Sequence, residues 1–426
     1  MEKKKVILVW FRNDLRLHDN EILLEAVQKA DVVIPVYCFD PRYFTLNKFG
    51  NKNTGILRAQ FLLETVAAFK ADLQGIQGDL LTYLGYPEEI IPRLATKYEI
   101  DEVYHHREVA QRETQISEKV ESALWQTSRV NLKHFIGHTM YHKEDLPFPI
   151  RDIPNSFATF KKKIERESQV RAVSPTVEKM VVPAHLESTD LPTLVELGFS
   201  ESEIAEVSEK SLIGGEQHGL ENLETVLADD YKSFHDFTLL SPYMATGALS
   251  PILIYHKLHA AMTPKNKKRL ERRTARLFWR DYYRFMLKKY PNVYFKAFGH
   301  LAVVPEWLEI KPNNSTNNID WKSGNTGEEF IDQAVHILKK TGNLPSEART
   351  VLALYIIQET SADWLETASF FEEHLLDYNP ATTYGNLSHI AGVGTSPKDN
   401  LSTIHWRDLM NKNYPKGLEY EFATHS

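Results

Sequence analysis

The chain has 426 residues, of which 42% are apolar and 11% aromatic, and carries 50 Lys and Arg against 57 Asp and Glu, a net charge of −7. That length suits two or three domains with a sizeable core, and no apolar run approaches the ~20 residues that a membrane-spanning helix needs. The acidic balance excludes a surface that coats nucleic acid as a whole, and leaves a local basic groove as the way to bind it.

In chain order, Met1-Glu2-Lys3-Lys4-Lys5 leads straight into an apolar run without the long stretch or cleavage site of a signal peptide, so the cytoplasm is the expected compartment. Residues 1–134 alternate β-branched runs with helical patterns. Val6 to Phe11, Val32 to Tyr37, Leu80 to Leu84 and Glu102 to Tyr104 predict strands; Glu21 to Lys29, Thr54 to Gln74 and Pro87 to Tyr98 predict helices. The alternation predicts a parallel α/β sheet with right-handed crossovers. Cys38, the only cysteine, excludes an intramolecular disulfide and a four-cysteine iron–sulfur cluster. No Gly-x-Gly-x-x-Gly follows the first strand and no P-loop occurs, which leaves dinucleotide and nucleoside triphosphate sites of those kinds unsupported. Residues 135–192 predict a connector, polar from Asn155 onward and punctuated by Pro175, Pro183 and Pro192, lying over a surface. From 193 to 426 the pattern is almost wholly helical and aromatic, and no metal site is expected.

The first motif is Trp10-Phe11-Arg12-Asn13-Asp14-Leu15-Arg16-Leu17-His18-Asp19-Asn20. Alone it reads as a strand, a polar turn and a helix start capped by Asp19 or Asn20. Its order resembles the opening signature of the cryptochrome and DNA photolyase family. Phe39-Asp40-Pro41-Arg42, Arg58 to Glu64, Asp145-Leu146-Pro147-Phe148 and Phe157 to Lys163 follow in the family's order, the last in the form of DASH-type cryptochromes. The resemblance runs from Val6 to about Asn400. It implies an α/β N-terminal domain joined by the connector to an all-α FAD-binding domain. It also implies FAD, a damaged or single-stranded DNA partner, and a folate antenna with Glu108 at the folate-contacting position. Read plainly, Glu108 is an exposed glutamate at a helix start.

The next constellation is Thr274 to Phe285, with Arg269, Arg273, Arg276 and Arg280 spaced by 4, 3 and 4 residues along one side of a helix. Such a stripe suits phosphates, of DNA or of a cofactor, because the guanidinium fork matches phosphate oxygens; it is equally the pattern of a solvated helix face. Trp-Arg-Asp-Tyr-Tyr-Arg-Phe resembles the family helix that floors the flavin cavity. By that resemblance Trp279 stacks on an extruded pyrimidine dimer, Arg280 touches the cofactor, and Arg276 and Arg273 face DNA. Arg276 stands where repair-competent members carry a glutamate.

Tyr231 and then Thr238, Ser241, Pro242 and Tyr243, running to Gly247-Ala248-Leu249-Ser250, resemble the family's phosphate-gripping segment, with a shorter loop between Tyr231 and Ser241. Hydroxyls just before a helix start suit an anion. Thr341 to Thr350 opens a further helix, with Ser346-Glu347 in place of the family's Asn-Arg. Arg349 matches the arginine that pairs with an aspartate, here Asp377. That pair is either a preserved cavity element or an ordinary interhelix ion pair. Within Leu375 to Leu387, Asn379 and Thr383 are expected at the cofactor, in place of an aspartate and an asparagine. The family feeds electrons to flavin through three tryptophans. Trp321 and Trp364 match the outer and middle ones, but the inner one is Leu387, which cannot be oxidised. His389 replaces an aromatic residue at the flipped base.

Six departures, Arg276, Ser346, Glu347, Thr383, Leu387 and His389, are expected to meet in one cavity. The reading is a blue-light-responsive FAD protein whose ancestral reaction is repair of cyclobutane pyrimidine dimers in single-stranded DNA, a carbon–carbon lyase if active. The alternatives are a light or redox sensor acting on a protein partner, and a flavin-free relative.

Overall fold

The computed structural model describes residues 3–207, 212–228, 237–301, 320–360 and 362–418. Five strands, β1 (Val6–Phe11), β2 (Val32–Phe39), β3 (Leu81–Leu84), β4 (Glu102–His106) and β5 (Asn131–Phe135), pair in parallel in the order β3-β2-β1-β4-β5. Helices α1 (Glu21–Lys29), α2 (Ile56–Gly75), α3 (Pro87–Lys97) and α4 (Gln111–Thr127) connect them. Both faces of the sheet are covered: Ile7, Val9 and Phe11 pack into one core, Leu8 and Trp10 into the other. Central strands buried on two sides read as continuous apolar runs, which is why they are evident in the sequence. β5 and α4 lie beyond the predicted elements. β5 buries only Leu132 and Phe135, and α4 only Ile116, Ser117, Val120 and Leu124.

The connector is more ordered than a surface linker. It contains helix α5 (Phe157–Glu167), capped by Ser156, with Phe160 and Ile164 buried in the helical core. Val177, Met180, Leu197 and Phe199 then pack into the sheet's core, and Val33 donates its N–H to Val181 O at 2.8 Å. The strap therefore fastens both cores and continues past residue 192.

The rest is helical: α6 (Glu201–Glu206), α7 (Glu216–Leu227), α8 (Phe237–Thr246), α9 (Pro251–Ala260), α10 (Lys267–Lys289), α11 (Glu329–Thr341), α12 (Ser346–Glu359), α13 (Trp364–His374), α14 (Pro380–Ile390) and α15 (Trp406–Asn413). None among the described residues is long and apolar enough to cross a membrane. Gly385 lets α14 approach α10, since a Cβ there would lie 2.5 Å from the Tyr283 ring.

In this strand order the crevice lies between β1 and β4, at the carboxyl ends where open α/β sheets hold ligands. Here the helical half fills it. Arg284 of α10 pairs with Glu108 at 2.9 Å, with side chains only 4% and 5% exposed, and Asn13 Nδ2 donates to the same carboxylate at 2.8 Å. Burial opposes the charge on Glu108, but His138 at 3.3 Å and the guanidiniums of Arg284 and Arg12 outweigh it and hold its pKa well below the usual carboxylate range. Asp14 lies 2.5 Å from His106. Arg16 donates to Gly247 O at 2.9 Å, and Glu216 accepts from the backbone and ring of His18. Gly247 has φ +74°, and a Cβ there would meet Asn13 O at 1.8 Å, so only glycine fits. The N-terminal motif is thus the clamp between the two halves. Glu108→Gln should cost about 3–5 kcal/mol because Arg284 is left buried and unpaired, while Glu108→Gln with Arg284→Met should cost much less. Urea unfolding of the two variants checks this; equal losses would contradict it.

Candidate flavin site

α10 turns Arg276, Trp279, Arg280 and Tyr283 to one side, a helical spacing, and they form a wall of a cavity of about 520 Å³. α8 adds Thr238, Ser241 and Met244; the start of α12 adds Ser346, Glu347 and Arg349; α14 adds Asn379, Thr382, Thr383, Asn386, Leu387 and His389. Asp377 and the segment Lys398, Asp399 and Leu401 complete the lining with apolar Phe371, Leu375 and Ile390. All six departures from the family pattern therefore share one cavity.

Its polar centre is Asp377. Arg349 Nη1 donates to both carboxylate oxygens at 2.9 and 3.0 Å, and Ser241 Oγ donates to one of them at 2.6 Å. Arg349 Nε is committed to Leu344 O at 2.5 Å, and its Nη2 is buried without a partner among the described residues. A buried donor left unpaired is costly, so it marks where an acceptor of a bound group fits. Asn379 caps α14 by accepting the N–H groups of Ala381 and Thr382, with Pro380 at the first helical position. That leaves its amide nitrogen, with neighbouring Thr383, among the polar groups on this wall, beside Thr382 and Asn386. Arg280 donates to His138 O and Met244 O; burial lowers its pKa to about 10, and it remains a cation at neutral pH.

At the outer edge Arg276 Nη2 meets Glu347 Oε1 at 2.6 Å and Nη1 donates to Ser346 Oγ at 3.0 Å. Two departures of opposite charge thus neutralise each other. Trp279 lines the cavity while Phe157 stacks on it with centroids 3.5 Å apart and planes 10° apart. Phe157 is not part of the lining, so it backs the indole. His389 is a structural group: its Nδ1 donates to Gly385 O at 3.0 Å and its Nε2 accepts from Ser396 N at 3.1 Å. Burial lowers its pKa to about 4, so this doubly bonded ring is neutral.

Several expected residues lie elsewhere. Arg273 is 3% exposed and donates to Val226 O, so it cannot meet DNA phosphates in this arrangement. Of the four arginines, Arg276 and Arg280 line the cavity, while Arg273 is buried and Arg269 is half-buried and donates to Ala228 O, so the row does not present four guanidinium groups to one surface. Thr238 and Ser241 sit within α8 and not before a helix start, and the Ser241 hydroxyl is spent on Asp377. Glu108 is neither exposed nor open to a folate, being bound to Arg284 and Asn13. Trp321 packs edge-on against Phe370, and Trp364 donates to Ala297 O at 2.8 Å; both are buried outside the lining, while Leu387 is on it. Tyr231 lies outside the described residues. Tyr283 and Asn386, unremarked among the expected residues, follow from helical spacing after Arg276 and Thr383.

The family model for DNA photolyase matches residues 7–180, and that for the FAD binding domain of DNA photolyase matches residues 273–417. The chain belongs to the cryptochrome and DNA photolyase family. It is 33% identical to the cryptochrome DASH of Gloeobacter violaceus over 92% of this chain and 80% of the relative. With the cryptochrome DASH of Danio rerio it is also 33% identical, over 94% and 79%. It superposes on a Synechocystis cryptochrome with a TM-score of 0.85 at 28% identity, covering 99% of this chain and 89% of that one. An archaeal photolyase from Sulfolobus tokodaii, solved with two FAD molecules, shares the fold at a TM-score of 0.73 and 23% identity, over 96% and 88%. The helical half is accordingly an FAD-binding domain of the family's type, and the cavity suits the group: its volume is in the range of ligand sites, its walls combine apolar and polar side chains, and Arg349 Nη2 is left without an acceptor among the described residues.

The His389 ring gives a pH prediction. Folded His389 takes up a proton only near pH 4, while the unfolded chain's does so near ~6.5, so its contribution falls as pH drops from 6.5 towards 4 and is flat above that window. Urea unfolding should show wild type losing stability faster than His389→Gln across that window. Parallel losses would contradict the assignment.

Proposed function

We propose that the protein is a blue-light-responsive flavoprotein that holds FAD in this cavity and acts, or once acted, on pyrimidine dimers in single-stranded DNA. The observation that carries the proposal is the Ser241–Asp377–Arg349 cluster on the cavity wall, in which Arg349 Nη2 is buried without a partner among the described residues. When bound, the flavin supplies light absorption and the electron for opening the dimer. The chain's own part is to bind and orient. Asp377 fixes the Arg349 guanidinium, and Arg349 Nη2 offers a hydrogen bond; Asn379 and Thr383 offer two more polar groups. Apolar Leu387, Leu375 and Ile390 keep water from the inner wall. Trp279, backed by Phe157, is the flat surface on which a base would stack.

Two features favour a second reading, a light or redox sensor that does not repair DNA. Glu347 places a carboxylate at the rim, where a phosphate backbone would approach, and Arg276 is already engaged by it. Leu387 removes an oxidisable ring from the wall, so Trp364 and Trp321 form an interrupted electron route.

The deciding experiment is blue illumination of the reduced, FAD-loaded protein with a single-stranded oligonucleotide carrying one cyclobutane dimer. Loss of the dimer supports a photolyase, and unchanged dimer with flavin retained supports the sensor. If DNA does stack in the cavity, Trp279→Ala should weaken single-strand binding by about 1–3 kcal/mol at fixed salt. Unchanged affinity in a titration would remove Trp279 from the interface. Leu387→Trp should speed photoreduction of bound flavin severalfold, followed by bleaching of its absorption; an unchanged rate would show that the gap at Leu387 is not limiting.

A further inference from the structure

Met244, Tyr283, Phe371, Leu375, Leu387 and Ile390 of the helical core close one part of the cavity wall. The contact between Arg276 and the first turn of α12 is different. Arg276 and Glu347 line the cavity yet remain 39% and 37% exposed, so they stand where the cavity meets solvent. They also join helices whose main packing lies elsewhere: α10 on α9, α5 and α14, and α12 on α11, α13, α14 and α15. The wall is therefore bridged here by one long side chain, whose rotation opens it without disturbing the core. The two ends are unequal. Glu347 and Ser346 are held at the N-terminus of α12, where the helix dipole favours a carboxylate, whereas Arg276 swings on a flexible stem.

We propose that Arg276 and Glu347 form a latch over the cavity mouth that slows escape of the bound flavin nucleotide and opens by release of Arg276 from Glu347 and Ser346. This rests on the flavin reading above and adds how the occupant is retained. A half-exposed ion pair shifts an equilibrium by no more than about fivefold and is screened by salt, which suits a contact that must open repeatedly. Each charge has its role only through the other, so the signature is loss of coupling and not merely loss of charge.

The test is the release rate of FAD from the loaded protein, followed by the rise of free-flavin fluorescence after dilution, at low and high salt. Arg276→Gln and Glu347→Gln should each speed release about three- to fivefold, and the double variant no further. The exchanged pair, Arg276→Glu with Glu347→Arg, should return the rate towards wild type. High salt should speed release from wild type and leave both single variants nearly unchanged. Unchanged release in the singles, additive effects, acceleration by Arg276→Gln alone, or an exchanged pair as fast as the singles would each overturn the latch. A wild type that takes up no FAD would instead overturn the flavin reading on which the latch rests.

Discussion

The buried contact between Glu108 and Arg284 sets the geometry on which everything else depends. It places helix α10 against the carboxyl end of the sheet, at the crevice where such sheets commonly bind ligands. The adjacent face of the same helix, on which Arg280 lies one turn before Arg284, then supplies Arg276, Trp279, Arg280 and Tyr283 to the cavity. Neighbouring contacts reinforce that orientation. Asp281 of α10 accepts the N–H groups of Met140 and Tyr141 from the connector, and Arg16 and His18 reach α7 and the end of α8. A buried ion pair is weak evidence for added stability, since desolvation offsets much of the attraction. Its effect here is directional: only one docking angle of α10 satisfies both charges.

Inside the helical half, a charged inner cluster and a self-neutralised rim sit side by side. The inner cluster, Asp377 with Arg349 and Ser241, is satisfied except for Arg349 Nη2, which is buried without a partner among the described residues. The rim has a different balance. Arg276 and Glu347 cancel each other, and His389, neutral and bonded at both nitrogens, fastens the Gly385 turn to Ser396. The charge pattern at the mouth is therefore closer to neutral than a phosphate-binding groove requires, while the interior keeps what a flat, acceptor-bearing cofactor needs.

The fold was largely legible because its signals are local. β1 and β2 are apolar runs, and α1 matches its predicted limits. β5 was not legible, because an edge strand with two buried apolar residues carries little pattern. At the site, spacing placed Arg276 and Arg280 on one helix side, and it was the family resemblance that brought Trp279, Thr383 and Leu387 to the same cavity. What spacing cannot give is the direction in which a charged side chain is spent. Arg273 and Glu108 looked like surface charges, and both are buried by partners more than 40 residues away in the chain, Val226 and Arg284. The partnership of Arg276 with Glu347, 71 residues apart, was hidden for the same reason.

The central claim is that Asp377 and Arg349 hold FAD in the helical cavity. Its most direct test is titration of FAD into the flavin-free protein and its Asp377→Asn variant, followed by flavin absorption and fluorescence. Wild type should bind one FAD per chain, and the variant, which loses a charge-assisted contact, should bind about 10- to 100-fold more weakly. Equal affinity of the two proteins, or no uptake by wild type, would contradict the account.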